Sequence, residues 1–137
     1  MTAPYNKPLP KLDALTRPFW DHARQGKLAM QVCDDCADIH FPPTPVCPAC
    51  LGDHQSWQIV SGDGVLESWI DLHRAYWPGF TDDLPYRVCI VKLAEGPLLA
   101  SNLVGPSEGA KLHAPVRVIF EQVTDEITLP KFRLAGG

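Results

Sequence analysis

Cysteine is the residue type through which this sequence can do chemistry. Cys33-Asp34-Asp35-Cys36 is followed, after ten intervening residues, by Cys47-Pro48-Ala49-Cys50. Two residues between cysteines let both sulfurs of a short turn face one point. Two such turns complete a tetrahedron around zinc, with Zn–S distances of about 2.3 Å. Four thiolates close the coordination shell and leave no position for water or substrate, unlike a catalytic zinc with three protein ligands. The expected cofactor is one structural zinc per chain, held by Cys33, Cys36, Cys47 and Cys50. Iron is the alternative, because the same sulfur tetrahedron can hold it. A redox dithiol needs a single CxxC, and two pairs at ribbon spacing argue against it. His40 and His54 flank the pairs and are expected to be neighbours of the site, not ligands. The fifth cysteine, Cys89, lies in the run Val88-Cys89-Ile90-Val91 and reads as a small buried hydrophobe.

No other stretch offers a catalytic constellation. Neither a GxSxG elbow nor an HExxH, P-loop or GxGxxG motif occurs in the sequence. Asp71 and His73 stand two apart on a predicted strand, an orienting pair at most, with no nucleophile implied. The segment Arg74-Ala75-Tyr76-Trp77-Pro78-Gly79-Phe80 puts three aromatic rings in a loop containing Pro and Gly. Clustered aromatics of that kind mark binding surfaces.

The chain has 137 residues, 45% of them hydrophobic, enough for one domain or two small ones with a real core. A module of a few dozen residues could not hold itself on apolar burial and would need a staple such as a metal. The formal charge is −4 and the twelve basic residues are scattered. Nucleic-acid affinity draws on clustered Lys and Arg, so this balance disfavours a nucleic-acid partner. The first twelve residues do not resemble a secretory signal, and no apolar stretch approaches the ~20 residues of a membrane helix. Paired cysteines in a chain without a signal peptide point to metal binding in a reducing compartment, here the cytoplasm.

The elements that position these residues follow from local signals. Residues 1–12 form a Pro-rich arm, read as a flexible leader. A short helix follows, with Thr16 as N-cap, Pro18 in the first turn, Leu15 and Trp20 as a hydrophobic staple, and Gly26 as the stop. Phe19 and Trp20 are large for so short a helix, and at least one is expected to pack outside it. Leu28, Met30 and Val32 alternate as in a half-buried strand leading into Cys33. Beyond the cysteines, strands are predicted at 57–61, 64–73, 86–94, 98–104, 115–124 and 127–134. Short strands at this spacing suit a Greek-key barrel of the OB type. The expected fold is mainly β: arm and helix at 1–27, zinc ribbon at 28–55, OB-fold barrel at 56–137.

The order of features is distinctive. A helix with an aromatic pair precedes a four-cysteine ribbon carrying Phe41-Pro42-Pro43 between its knuckles. Then come Trp57, Ser61-Gly62-Asp63-Gly64-Val65-Leu66-Glu67-Ser68, and a barrel ending in Val116-Arg117-Val118-Ile119-Phe120-Glu121 and Leu129-Pro130-Lys131-Phe132. Over residues 15–134 this resembles the proteins with a rubredoxin-like zinc ribbon and an OB fold that accompany thiolase-like enzymes in acyl-CoA metabolism. Two departures stand out: family members commonly have Gly after the second cysteine, where this chain has Ala37-Asp38, and Val65-Leu66 stands where a Thr-like residue is usual. The resemblance implies a non-catalytic accessory subunit, bound to a thiolase-like enzyme, an acyl-CoA aldolase or an enoyl-CoA hydratase and helping to hold CoA. With that role, the aromatic loop at 74–80 is expected to face the substrate, with Arg74, Tyr76 and Trp77 as the acyl-CoA contacts and Arg17, Arg24 and Lys27 as further candidates for the CoA phosphates. The reading from another class is a nucleic-acid-binding ribbon plus OB module.

Overall fold

The computed structural model describes residues 5, 7–106, 108 and 110–135. Helix α1 (Arg17–Arg24) is followed by β1 (Leu28–Cys33), β2 (Ile39–His40), β3 (Gln55–Val60) and β4 (Asp63–Leu72). A 3-10 helix (Pro78–Asp83) leads into β5 (Tyr86–Leu93), β6 (Leu98–Asn102), β7 (Pro115–Gln122) and β8 (Thr128–Leu134). Every strand predicted after the cysteines is present, its ends displaced by two residues at most.

Their pairing makes two sheets. β3 pairs antiparallel with β1 along its whole length, Leu28 opposite Val60 and Cys33 opposite Gln55. It therefore belongs to the three-stranded sheet β2-β1-β3, whose far end carries the cysteines. The other five strands form the sheet β6-β5-β4-β7-β8. β4, β5 and β6 meander, and the chain then crosses back so that β7 pairs with the start of β4. A parallel bridge between Leu103 and Phe132 brings the two edges together, which nearly closes the sheet as an OB-type barrel. Gly64 is required at the β4 start: a Cβ there would lie 2.5 Å from the Lys92 carbonyl oxygen.

One apolar core serves both sheets. Phe19 of α1, Leu28 and Met30 of β1 and Val60 of β3 pack with Leu66, Val91, Val116 and Phe132 of the barrel. This explains one difference from expectation, at β1, and the packing of Phe19 outside its own helix that the sequence leads one to expect. β1 is covered on both faces, with Ala29 and Gln31 buried as well as Leu28 and Met30, so its alternation does not mark an exposed side. Phe19 is 4% exposed and meets Trp20 edge to face at 4.9 Å and Phe41 at 5.2 Å. It is a core residue of this chain, and is not available to a partner.

The helix start also differs in detail. Thr16 takes the N-cap position but makes no side-chain cap. Its hydroxyl sits in a reciprocal turn with Asp13, whose carboxylate accepts the Thr16 N–H at 2.9 Å. Asp competes well for such local turn bonds. Gly26, at φ 75°, ends the helix as expected. Residues 1–4 and 6 of the arm lie outside the described residues. Lys7 is tied down, with Nζ 2.8 Å from an Asp83 carboxylate oxygen.

Candidate metal centre and the loop after β4

The two CxxC turns are built alike, bond for bond. In the first, the Cys33 N–H donates to the Asp38 carbonyl at 2.9 Å and the Ala37 N–H to the Cys33 carbonyl at 2.9 Å. In the second, the Cys47 N–H donates to the Gly52 carbonyl at 2.8 Å and the Leu51 N–H to the Cys47 carbonyl at 2.8 Å. Each closes through a left-handed residue after its second cysteine, Ala37 at φ 66° and Leu51 at φ 65°. Glycine is the usual occupant of that conformation. The departure at Ala37-Asp38 therefore leaves the knuckle geometry intact, and the backbone is strained instead.

The closure brings all four sulfurs within 4.8 Å of one another. Cys33 Sγ lies 3.6 Å from Cys50 Sγ, and Cys36 Sγ 3.6 Å from Cys47 Sγ. A disulfide needs about 2.05 Å. The edge of a tetrahedron with Zn–S bonds of about 2.3 Å is about 3.8 Å, so the spacing fits a metal-centred shell. Cys33 and Cys47 are buried, and Cys36 and Cys50 face outwards.

The thiols differ in acidity. At Cys47 burial favours the neutral thiol, but the N–H groups of Cys50 and Ala49 and the thiols of Cys36 and Cys33 outweigh it and bring it down to about 7. At Cys36 the Asp38 N–H favours the thiolate, yet burial and the three neighbouring sulfurs push the thiol up to about 12. Cys50 is also raised, against the help of the Gly52 N–H, chiefly by its contact with Cys33. Four negative sulfurs at these distances repel one another, and a bound divalent cation is the counter-charge that lets all four ionise. Cys89 stands apart: burial pushes its thiol up to about 11, as befits an inert core residue.

Beneath the sulfurs lies a polar network that the motifs did not reveal. Gln31 is buried, and its Oε1 accepts the Thr44 N–H at 2.8 Å and a His40 Nε2 proton at 2.9 Å. His40 Nδ1 is 3.1 Å from Asp38 Oδ2, and Gln55 Nε2 donates to the Thr44 carbonyl at 2.8 Å. These bonds tie the loop between the knuckles to β1 and β3. The sequence signal was a lone polar residue, Gln31, between Met30 and Val32. His40, with both ring nitrogens engaged, supports the site from outside the sulfur shell. His54 is exposed beside the Asp53 and Asp35 carboxylates.

The segment after β4 divides its aromatic residues. Tyr76 is 73% exposed and Trp77 48%, and the Arg74 guanidinium lies 5.3 Å from the Tyr76 ring centre. Phe80 turns inwards and stacks on Tyr86 at 5.0 Å. The Asp71 carboxylate accepts from Arg87, Nε at 2.6 Å and Nη2 at 3.2 Å, so it is engaged by Arg87 and does not orient His73. Arg17, Arg24 and Lys27 are exposed around α1.

A sulfur tetrad on a three-stranded sheet, fused through one core to a five-stranded barrel, defines a zinc-ribbon/OB protein, and the comparisons with known proteins agree. Residues 20–55 match the family model of the ChsH2 rubredoxin-like zinc ribbon domain, and residues 57–121 that of the ChsH2 C-terminal OB-fold domain. The chain belongs to the DUF35 family, in its ChsH2-type form. It is 30% identical over 117 residues to a DUF35 domain-containing scaffold protein of Pyrococcus furiosus, covering 81% of this chain and 85% of that protein. It is 35% identical over 119 residues to a probable enoyl-CoA hydratase alpha subunit of Thermomonospora curvata. That match takes in 85% of this chain but only 37% of the relative, so the chain spans about a third of that protein's length. Among solved structures it superposes on a chain of the Ltp2-ChsH2(DUF35) aldolase with a TM-score of 0.82 and 32% identity, covering 93% of this chain and 99% of the other. No helix among the described residues is long and apolar enough to cross a membrane.

Proposed function

We propose that this chain is a non-catalytic accessory subunit of an acyl-CoA-processing complex in the cytoplasm. It docks on a thiolase-like enzyme, an acyl-CoA aldolase or an enoyl-CoA hydratase and helps to bind the CoA substrate. The observation that carries the proposal is the near-complete likeness to the ChsH2(DUF35) chain of an aldolase. Relatives named scaffold proteins support the non-catalytic part, as does the engagement of Asp71 by Arg87, which takes Asp71 away from the role of orienting His73.

One structural zinc, bound by Cys33, Cys36, Cys47 and Cys50, is the second element of the proposal, supported by the 3.6 Å sulfur spacing. When bound, the metal fixes the two knuckles and neutralises their charge. The Gln31–His40–Thr44 network then orients the loop between them on the sheet. Docking and CoA contact fall to the loop after β4. Tyr76 and Trp77 offer exposed aromatic area, where interface energy concentrates. Arg74, beside the Tyr76 ring, offers a guanidinium for a phosphate.

The test is co-purification of the tagged chain with a co-expressed acyl-CoA enzyme, followed by affinity measurements on Trp77→Ala. Loss of an interface anchor costs about 2 kcal/mol, close to thirtyfold in Kd. The melting temperature of the variant should match that of the natural chain. Early melting with unchanged affinity would assign Trp77 to internal packing and remove the loop from the docking surface.

A further inference from the structure

The barrel's closing seam holds a cleft of about 390 Å³, within the size range of small-molecule sites. Its walls come from β5 and β6 on one side and β7 and β8 on the other, with Phe80 and Asp83 of the 3-10 helix and Tyr5, Lys7 and Pro8 completing the lining. Most of its charges are already matched: Lys7 pairs with Asp83, and Lys131 with Glu121. Arg87 is different. Its Nε and Nη2 donate to Asp71, while Nη1 is buried with no acceptor on the protein. A buried donor left unpaired is costly, and more so when the group is charged, so a fold that keeps one gains where something supplies an acceptor. Phe80 and Tyr86, stacked together, form the apolar wall beside it.

A second cleft, of about 290 Å³, shares Asn102, Leu129 and Lys131 with the first and continues to Trp20, Phe41 and Leu99. The two clefts together offer one polar anchor, flanked by Lys131, and one apolar extension. We infer that this seam is a binding site for a small amphiphilic anion, a carboxylate or phosphate on an apolar stem, with Arg87 Nη1 as its anchor. The anion accepts from Nη1–H, and the stem lies past Asn102 and Leu129 towards Trp20. The site is distinct from the exposed Tyr76–Trp77 surface, and the inference can fail while the proposed docking stands.

Calorimetric titration of the full chain with hexanoate and with hexyl phosphate tests it, with inorganic phosphate and hexanol as controls. Saturable binding is expected for at least one amphiphile and for neither control, and the better of the two identifies the headgroup. Arg87→Gln should weaken binding at least tenfold and Arg87→Lys several-fold. Arg117→Gln, the same charge change at the Asp63 pair, should leave it unchanged. Trp20→Ala should reduce the advantage of hexyl over butyl compounds. Melting curves establish that each variant is folded, and the Lys variant carries the test should the Gln variant not fold. Failure of both amphiphiles to saturate at millimolar concentration would mean that Nη1 takes no such ligand. That result, or equal binding by folded Arg87 variants, overturns the site.

Discussion

The ribbon tip, from Cys33 to Gln55, and the barrel seam solve the same problem by different means. Each must hold two chain segments together at the margin of the core. At the seam, Phe132 is fully buried, Leu103 and Val116 almost so, and apolar area does the work. At the tip, the buried groups are Cys33, Cys47 and His40, with Asp34, Asp35, Leu51 and Asp53 all exposed. Sulfurs, a glutamine and a histidine stand where a barrel has leucine and valine. The difference teaches where stability comes from in a small chain: burial at roughly 25 cal/mol per Å² needs area, and so short a tip has too little. A metal supplies in one centre what area cannot.

The largest effect should therefore come from the sulfurs. Cys36→Ser and Cys47→Ser should lose the metal, whose binding contributes on the order of 10–16 kcal/mol in small zinc modules. Because Leu28, Met30 and Val60 rest on the shared core, the damage should stop there. Elemental analysis should find about one zinc per natural chain and little in the variants. Hydrogen exchange should show amides 34–54 released while those of β5, β7 and β8 stay protected. Simultaneous loss of barrel protection would break the comparison, since tip and barrel would then be one cooperative unit.

Next in size is the reverse experiment. Phe132→Ala removes a fully buried ring from the seam and should cost about 3–5 kcal/mol. The denaturant midpoint should fall without a change in metal bound per folded chain. Metal loss before barrel unfolding would mean that the seam also supports the tip.

These two regions were unequally legible. The cysteine spacing dictates its own geometry, so the tetrad could be read residue by residue. The strands of the barrel announced themselves through Val, Ile and Leu between turn residues. Pairing was not readable: β3 has the composition of a barrel strand, and only the long-range register with β1 assigns it to the ribbon sheet. Phe19 and Trp77 are both large aromatic residues, yet one is core and the other half exposed, because burial depends on what folds over a position. The Arg87 anchor was invisible for the same reason, since its cleft is made of segments far apart in sequence that meet only when the seam closes.

The smallest predicted effect probes strain on each side of the comparison. Ala37 and Leu51 close the two knuckles at φ 66° and 65°, and His113 takes φ 66° in the crossing loop to β7. A left-handed conformation costs a residue with a Cβ roughly 1–2 kcal/mol, and glycine avoids that cost. Glycine also loosens the unfolded chain, which gives back roughly 0.4–1 kcal/mol. All three side chains are exposed, Leu51 at 74%, so little packing is lost. The net expectation is a gain of about 0.7 kcal/mol at each position, close to threefold in an equilibrium constant. In Ala37→Gly and Leu51→Gly the gain should appear as resistance to a chelator, with about threefold more needed to strip half the metal and no change in the barrel's denaturant midpoint. In His113→Gly it should appear in the midpoint and leave chelator resistance unchanged. A gain on the wrong side, or the same gain on both sides for every variant, would mean that strain is shared through the core and that tip and barrel are not independently held. A loss at Ala37 or Leu51 would mean that the side chain contributes more to the closed knuckle than its backbone strain takes away.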